Sequence, residues 1–447
     1  MFKKGANEEK KMYEINLRRT VWETVLTSIG AGFSVSTVTV FWNSIGMDQT
    51  AIGFVQMMFT IAIMLLDIPM GYIADRFNRK LLNVLGDIGV AVTFVFYAFA
   101  QNMYMAILAE CLLGLFMAMT NGVDQSFIKY NCNKVDPSGE LFKKTNIKVQ
   151  TARYIALFTV VIIGGFIAKF DLRLTLALSF IPYFIGGLVA MKIKDFDEKA
   201  EVKHKNPVKD MVISVKEIIA DAKTRTLMFA YVLGKELTHA QIWVFTPLLM
   251  MVGVPIEIVS MGWALNYLAQ IVGSKVSEKM IHFKTSNKFA IPFITEFVWI
   301  VILVLNTNIV TVWLFALNGF VHGLLEGSLI TPLQEATKDE VQTSVMSVAS
   351  TGARLLYIPL VYIINYLGNI DLKLALVGVI VVFAPLSVIT YIMLKKIEKA
   401  NQILLLDDDI SIEKDFEKAG ESKWLKGRVF ITRPWHFCIV FWLLLFN

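Results

Sequence analysis

The chain has 447 residues, of which 55% are hydrophobic and only 18% are charged, and its net charge is +6. A soluble protein of this length would have to expose much of its apolar material in large patches. The composition therefore excludes a soluble enzyme, a disordered scaffold and a secreted disulfide module. The apolar residues instead form blocks of about twenty, which is the length that crosses a hydrocarbon core.

Twelve such blocks are predicted to be transmembrane helices, because lipid leaves every backbone polar group to be paired within its own segment. They cover residues 21–43, 51–74, 81–101, 103–124, 149–168, 174–193, 227–250, 258–274, 289–306, 309–332, 344–366 and 373–394. The predicted fold class is therefore an all-α polytopic membrane protein with two six-helix bundles.

A long charged stretch at 194–225 separates the two predicted bundles and is interpreted as a cytoplasmic linker. The N-terminal bundle covers 21–193 and the C-terminal bundle 226–395, with a polar segment at 1–20 and a charged tail at 396–447. Ile45-Gly46-Met47 resembles Val252-Gly253-Val254, which is a faint indication of internal duplication. Duplicated halves are typical of secondary transporters, whose binding site lies between them near the midplane.

The distribution of basic residues predicts the orientation. Of the 43 Lys and Arg residues, 36 lie in the N-terminal segment, in the loops after even-numbered spans or in the tail, three lie in the other loops or at the first residue of span 12, and four lie elsewhere inside spans. Cytoplasmic loops carry such an excess of positive charge. The protein is therefore predicted to lie in the cytoplasmic membrane with both termini on the cytoplasmic side. A nucleic-acid partner is not expected.

The loop between spans 2 and 3 has the most informative residues, Gly71, Asp75, Arg76, Arg79 and Lys80. The three cations anchor a very short cytoplasmic loop, which a simple topological turn would also explain. Such a turn does not explain an acid at the membrane boundary, where a helix N-terminus or a buried arginine can meet it. It also does not explain the glycine four residues before that acid, which lets span 2 approach a neighbour closely.

The segment that begins at Gly71 and ends at Lys80 resembles the loop 2–3 signature of the major facilitator superfamily, G-x-L-A-D-R-x-G-R-K. Ile73 and Asn78 depart from that pattern, and asparagine also tolerates a left-handed turn. The resemblance implies alternating access by two six-helix bundles that rock about a central cavity. It also implies that Asp75, with Gly71 and the three loop cations, forms a cytoplasmic gate.

Span 5 departs from the drug antiporters of that family, which carry G-P-x-x-G-G there. Only Gly164-Gly165 remain, and Val160-Val161 stand in the place of Gly-Pro. An importer of a small polar metabolite therefore stays open as an alternative to an exporter.

Ionisable residues inside spans are costly and are functional candidates. Asp67, Glu236, His239 and Glu326 are the candidates for handling protons or substrate charge. In the resembled family, spans 7 and 10 line the cavity, and removal of a carboxyl group from water favours its protonated form. The two carboxyls in these spans are therefore the leading candidates, although paired structural charges remain the alternative.

Four further residues are predicted to line the cavity: Phe33, Trp243, Lys235 and His322. An aromatic cavity with carboxylates suits lipophilic or cationic solutes. A histidine here is also interpreted as an interhelical hydrogen-bond partner.

Asp124, Arg153 and Arg354 are interpreted as structural charge pairs. We expect the first two to pair with each other and Arg354 to pair with Asp75 or Asp67.

The leading hypothesis is a proton-coupled secondary transporter that exports small lipophilic or cationic compounds, with a small-molecule substrate, protons and the bilayer as its partners. A proton-coupled importer and a non-transporting membrane sensor are the alternatives. No cofactor is expected, because no phosphate-binding loop appears in the sequence, and an enzyme is not expected because no nucleophile elbow is present.

Overall fold

The computed structural model describes residues 2–76, 79–121, 123–194, 216, 221–280, 282–336 and 342–419, and the regular elements in these ranges are all helical. The first half contains α1 (Phe2–Val35), α2 (Val38–Ser44), α3 (Gln49–Arg76), α4 (Arg79–Ala98), α5 (Met103–Thr120), α6 (Val123–Val135), α7 (Glu140–Ala168) and α8 (Leu172–Ala190). The second half contains α9 (Ala222–His239), α10 (Ile242–Met251), α11 (Ile256–Lys279), α12 (Thr285–Leu305), a 3-10 turn (Thr311–Phe315), α13 (Ala316–Glu335), α14 (Gln342–Ile370) and α15 (Leu372–Ala419). The predicted all-α fold class is confirmed.

Each predicted span coincides with one helix or with two successive helices. In the described ranges, nine segments are long and apolar enough to cross a membrane, and α1 with α2 makes a tenth that is bent by 41°. In the same ranges spans 7 and 8 do not reach that threshold, and span 7 is divided between α9 and α10 and contains Lys235 and Glu236. The total of twelve crossings therefore stays a prediction.

The last helix differs from the sequence prediction. Span 12 was expected to end at residue 394, but α15 continues to Ala419, so the first part of the predicted tail is helical. Residues 1–397 form one compact unit and residues 398–447 a second one. The predicted linker lies outside the described residues, apart from Lys194, position 216 and the stretch that begins at Asp221.

Two pairs of matching turns support the duplication that the sequence indicated. Gly46 and Gly253 both adopt the left-handed conformation, with φ values of 86° and 85°. A stronger echo, which the sequence reading missed, joins the starts of α8 and α15. Asp171 accepts a hydrogen bond from the Arg173 backbone N–H at 2.8 Å, and Asp371 accepts one from the Lys373 N–H at 2.7 Å. Both aspartates cap a D-L-[RK]-L segment, and such caps satisfy backbone donors that the first turn leaves free.

The two halves meet along two helix pairs, α3 with α14 and α7 with α11. Small residues let these helices approach closely. A Cβ atom at Gly53 of α3 would lie 2.6 Å from the Asn365 Cβ, and one at Gly165 of α7 would lie 2.1 Å from the Ser260 Oγ. These seams join both halves into the single unit of residues 1–397.

Inside the second half, α11 and α13 cross on a row of glycines spaced four residues apart. The row consists of Gly319, Gly323 and Gly327, and Gly273 faces it from α11. A Cβ atom at Gly323 would lie 2.2 Å from the Gln270 backbone oxygen. Membrane helices without a hydrophobic driving force between them associate through such close contacts.

Replacing Gly323 with alanine is expected to destabilise the protein by about 1–3 kcal/mol, because the added methyl group forces the two backbones apart. Gly352→Ala is the matched control, since the nearest atom to its added Cβ is 3.9 Å away. Thermal unfolding of the purified variants should show a lower midpoint for the first and an equal or higher midpoint for the second. Equal midpoints for both variants would contradict close packing at this crossing.

Candidate functional site

Predicted spans 1 and 7 are both interrupted, between α1 and α2 and between α9 and α10. Each interruption is followed by a tryptophan, Trp42 in α2 and Trp243 in α10, and the two rings lie 5.4 Å apart between centroids. Because Trp42 belongs to the first half and Trp243 to the second, this contact joins the two halves. The candidate site extends from it in both directions.

On the side of the first half, hydrogen bonds continue from Trp42 into the helices behind it. The Trp42 Nε1 donates to the Tyr97 hydroxyl at 2.6 Å, and that hydroxyl donates to the Glu110 Oε1 at 2.9 Å. All three side chains are buried. The tryptophan is therefore held at the junction by a carboxylate of α5.

On the side of the second half, the Trp243 Nε1 donates to the Tyr357 hydroxyl at 2.7 Å. The His239 ring lies 6.3 Å from the Tyr357 ring and stacks at 5.6 Å on the His322 ring. The His322 Nδ1 and the Thr238 Oγ1 are 2.9 Å apart. Helices α9, α10, α13 and α14 thus bring these groups together.

We call this series the polar aromatic row, and its members are Glu110, Tyr97, Trp42, Trp243, Tyr357, His239 and His322. It runs between the interiors of the two halves and contains groups that donate hydrogen bonds, accept them or exchange protons. The structure brings three predicted residues into it: Trp243, His239 and His322. Tyr97 and Tyr357 were missed, because a tyrosine in an apolar span usually serves as packing or as an interface anchor.

Glu236 lies on α9 one turn before His239. Its side chain is 2% exposed, and its Oε2 atom has no hydrogen-bond partner. Lys235 precedes it and is half-buried. Buried polar atoms are nearly always paired, so an unpaired carboxylate oxygen points to a ligand or to a bound proton.

Glu326 lies on α13, one turn beyond His322, and is exposed. The Tyr154 hydroxyl of α7 donates to its Oε2 at 3.3 Å, which makes a second contact between the halves. The predicted residue therefore lies where the two halves meet.

Asp67 and Arg354 form an ion pair between α3 and α14, and each side chain is 19% exposed. The Asn121 side-chain amide also donates to the Asp67 carboxylate, at 3.1 and 3.2 Å. Arg354 pairs with Asp67, one of the two partners expected for it, and the side chain of the other, Asp75, lies outside the described residues. Asp67 is thus engaged in a bridge between the halves, on the side that the basic residues assign to the cytoplasm.

Further contacts join the halves on the opposite side. The Lys169 Nζ lies 2.8 Å from the Glu257 Oε1, and the hydrogen bond from this lysine lowers the pKa of Glu257. The Gln49 side-chain amide donates to the Trp243 backbone oxygen at 2.9 Å and to the Asn365 Oδ1 at 2.6 Å. The described residues therefore connect the halves on both sides of the polar aromatic row.

Three predicted residues lie elsewhere. Phe33 is half-buried, and its backbone packs on Gly164 of α7, since a Cβ atom at Gly164 would lie 2.6 Å from the Phe33 oxygen. The expected pair of Asp124 and Arg153 is not an ion pair in the described part of the chain. Asp124 instead accepts a hydrogen bond from the Thr24 hydroxyl at 3.4 Å, and Arg153 is exposed.

The loop 2–3 motif is described in part. Gly71, Asp75 and Arg76 belong to the last turns of α3, but their side-chain positions lie outside the described residues. Arg79 and Lys80 begin α4. The predicted gating role of this motif stays a prediction.

The chemistry available at the site is proton exchange, hydrogen bonding and contact with aromatic faces. Within the described ranges, no group of His, Cys, Asp and Glu side chains is arranged to hold a metal ion. The carboxyl and imidazole groups can carry protons, and the tryptophan and tyrosine rings can contact a lipophilic cation.

Comparisons with known proteins agree with this architecture. The sequence model of the Major Facilitator Superfamily matches residues 24–361. An uncharacterized MFS-type transporter of Bacillus subtilis, YitZ, is 30% identical over 154 residues, which cover 34% of this chain and 90% of that protein. The uncharacterized MFS-type transporter MJ1560 of Methanocaldococcus jannaschii is 22% identical over 245 residues, 50% of this chain and 61% of that protein.

Solved structures show the same fold at low sequence identity. The nucleoside transporter NupG superposes with a TM-score of 0.68 at 13% identity, over 86% of this chain and 99% of that one. A bacterial homologue of the human lysosomal transporter Spinster, in an inward-facing and unoccupied conformation, superposes with a TM-score of 0.67 at 14% identity, over 86% and 98% of the two chains.

Proposed function

This chain belongs to the Major Facilitator Superfamily and is a multi-pass membrane transporter, and on that premise we propose that it couples solute movement to protons by alternating access. The solute site in this proposal is the junction around Trp42 and Trp243. The proton site is Glu236 with the neighbouring His239 and His322. The chemistry is transport of a solute and not its conversion.

The observation that carries the proposal is the state of Glu236. Its side chain is 2% exposed and has a carboxylate oxygen without a partner, one helical turn from the histidine pair. A charged carboxylate in such a place is costly unless a proton or a cation neutralises it. If a cationic solute replaces the proton at Glu236, binding of the solute is linked to release of the proton.

The histidine pair supports a route for that proton. His239 lies one helical turn from Glu236, and the ring of His322 stacks on it at 5.6 Å. Glu326 follows His322 by one turn and reaches the interface with the first half through Tyr154. These groups form a series of proton carriers from the buried Glu236 to the seam between the halves.

Two sets of contacts supply the gates of the proposed cycle. The ion pair of Asp67 and Arg354 joins the halves on the predicted cytoplasmic side, beside the helix that ends in the loop 2–3 motif. The pair of Lys169 and Glu257 joins them on the other side. Alternating access requires each set to break while the other is closed.

For the solute and the direction, we propose export of small lipophilic cations. Indole, phenol and imidazole rings surround the junction, and such rings attract cations through their faces. Glu110 in the polar aromatic row and Glu236, one helical turn from its member His239, add negative charge. Exchange for external protons would drive such a cation out of the cell.

Import of a small polar metabolite is the second candidate. Lys235 is half-buried directly beside Glu236, and its ammonium group would suit an anionic or polar solute. The valines in place of Gly-Pro in span 5 agree with this candidate.

The test begins with a thermal-shift screen of purified protein, because a ligand of the folded form raises its stability by mass action. Compounds that bind are then supplied to vesicles of both orientations under an imposed pH gradient. We expect an organic cation to accumulate in the direction opposite to proton flow, and to stop accumulating when an ionophore collapses the gradient. Accumulation that ignores the collapsed gradient would refute proton coupling, and absence of flux for every bound compound would indicate a sensor.

A further inference from the structure

A second group of buried acids lies in the first half, away from the polar aromatic row. Glu23 of α1 is 1% exposed and Asp87 of α4 is 4% exposed. The two carboxyl groups lie within hydrogen-bonding reach of each other. Two carboxylates at that separation repel strongly, so one of them must hold a proton or share a cation. Asp124, at the start of α6, lies close enough to act electrostatically on both.

Several oxygens in this group have no donor. The Glu23 Oε2, the Asp87 Oδ2 and the Asp124 Oδ1 are buried and lack hydrogen-bond partners. Buried polar atoms without partners are rare, and three in one place call for a ligand that donates to them.

A neutral side chain gives an independent indication. Asn83 is fully buried, and its amide nitrogen donates to the Glu23 Oε1. Its Oδ1 has no partner and belongs to the same group. The unpaired carbonyl oxygen of this buried amide is directed into the site. Repulsion among the acids alone does not explain an unpaired oxygen on a neutral side chain.

The described residues around the group supply little positive charge. Gly186 of α8 lies against it, since a Cβ atom there would be 3.5 Å from the Asp87 Oδ2. Tyr183 faces it from the same helix, and Arg153 of α7 acts on Asp124 from an exposed position. Among the described residues, Arg153 is the cation that acts on this group, so the three acids there have an excess of negative charge. Two carboxyl groups this close match a proton as the ligand, because a proton held by one of them removes their mutual repulsion.

We propose that Glu23, Asn83, Asp87 and Asp124 form a proton-binding site in the first half, separate from the one around Glu236. The proton comes from water and bonds to a carboxyl oxygen of Glu23 or Asp87. It is shared with the other carboxyl group through a hydrogen bond and returns to water when it leaves. Glu23 lies near the start of predicted span 1 and Asp124 at the end of predicted span 4, on the side that the basic residues assign to the cytoplasm. The other two members lie on α4, which begins at Arg79 within the loop 2–3 motif. It does not depend on the proposed role of Glu236.

The test is infrared spectroscopy of the full-length protein in liposomes, which detects the C=O stretch of protonated carboxyl groups. We expect a component of that band in the wild type at neutral pH, and Asp87→Asn and Glu23→Gln should each lose the absorbance of one carboxylic acid. Glu236→Gln should keep this component, so the result is independent of the transport proposal. Glu140→Gln, a change at a 63% exposed acid, is the matched control and should leave the band unchanged.

Two results would overturn the proposal. One is a C=O band of protonated carboxyl groups that has the same intensity in Asp87→Asn and Glu23→Gln as in the wild type. The other is loss of the component when sodium chloride replaces choline chloride, which would identify a sodium site. Size-exclusion chromatography establishes which variants fold, and either acid variant alone is sufficient for the comparison.

Discussion

Glu236→Gln is expected to abolish solute accumulation driven by a pH gradient while solute exchange continues. Glutamine keeps the size and hydrogen bonding of the side chain but cannot take up or release a proton. Under one-to-one exchange, a gradient of one pH unit drives about tenfold accumulation, because that gradient is worth about 1.4 kcal/mol. The variant should show no accumulation above the level without a gradient.

A solute identified by the binding screen is used, and its uptake into proteoliposomes is measured with and without the pH gradient. Counterflow of the same solute is measured without the gradient. Glu296→Gln is the matched control, since Glu296 is also a buried acid of the second half but accepts hydrogen bonds from Gln241, Trp299 and Asn318. That control should lower stability and keep accumulation per folded molecule. Full accumulation in Glu236→Gln would remove Glu236 from the coupling.

Arg354→Gln is expected to open the predicted cytoplasmic side. It leaves Asp67 with only the Asn121 amide, and an acid that loses its charged partner in a partly buried site destabilises the closed contact. A loss of about 1.4 kcal/mol changes the ratio of closed to open molecules tenfold. Transport should slow, because the cycle would spend most of its time open on one side.

Spin labels at Asn133 and His282 can report this opening, since both residues are exposed and lie on different halves at the predicted cytoplasmic end. The distance between the labels should increase in Arg354→Gln and return in the charge-swapped double variant Asp67→Arg with Arg354→Asp. An unchanged distance in the single variant would show that the ion pair does not hold this side closed. If the distance increases in Arg354→Gln and does not return in the double variant, the opening results from altered packing and not from loss of the ion pair.

The sequence predicted the local features of this fold well, since they depend on short-range patterns. Blocks of apolar residues placed the helices, and ionisable residues inside them identified Glu236 and His239 on one face of span 7 and His322 in span 10. The helix interruptions before Trp42 and Trp243 were missed. No proline or glycine lies in the two gaps, at residues 36–37 and 240–241, so composition gives no signal there.

Pairings between the halves were the least predictable part of the site. Gln49 and Asn365 are 316 residues apart, and Asp67 and Arg354 are 287 residues apart. Their distance in space depends on how α3 packs on α14, which a single sequence does not encode in any local pattern. Within the first half, Asp124 accepts a hydrogen bond from Thr24 on α1 and Arg153 acts on it electrostatically, without an ion pair between the two in the described residues.

The most direct test of alternating access is to measure both sides of the same protein at acidic and alkaline pH. One label pair is Asn133 with His282, and the other is Tyr104 with Val310, which are 82% and 73% exposed at the opposite end. If the halves rock about the polar aromatic row, one distance increases as the other decreases, and Glu236→Gln removes the dependence on pH. Two distances that increase together, or that both ignore pH in the wild type, would contradict proton-coupled alternating access.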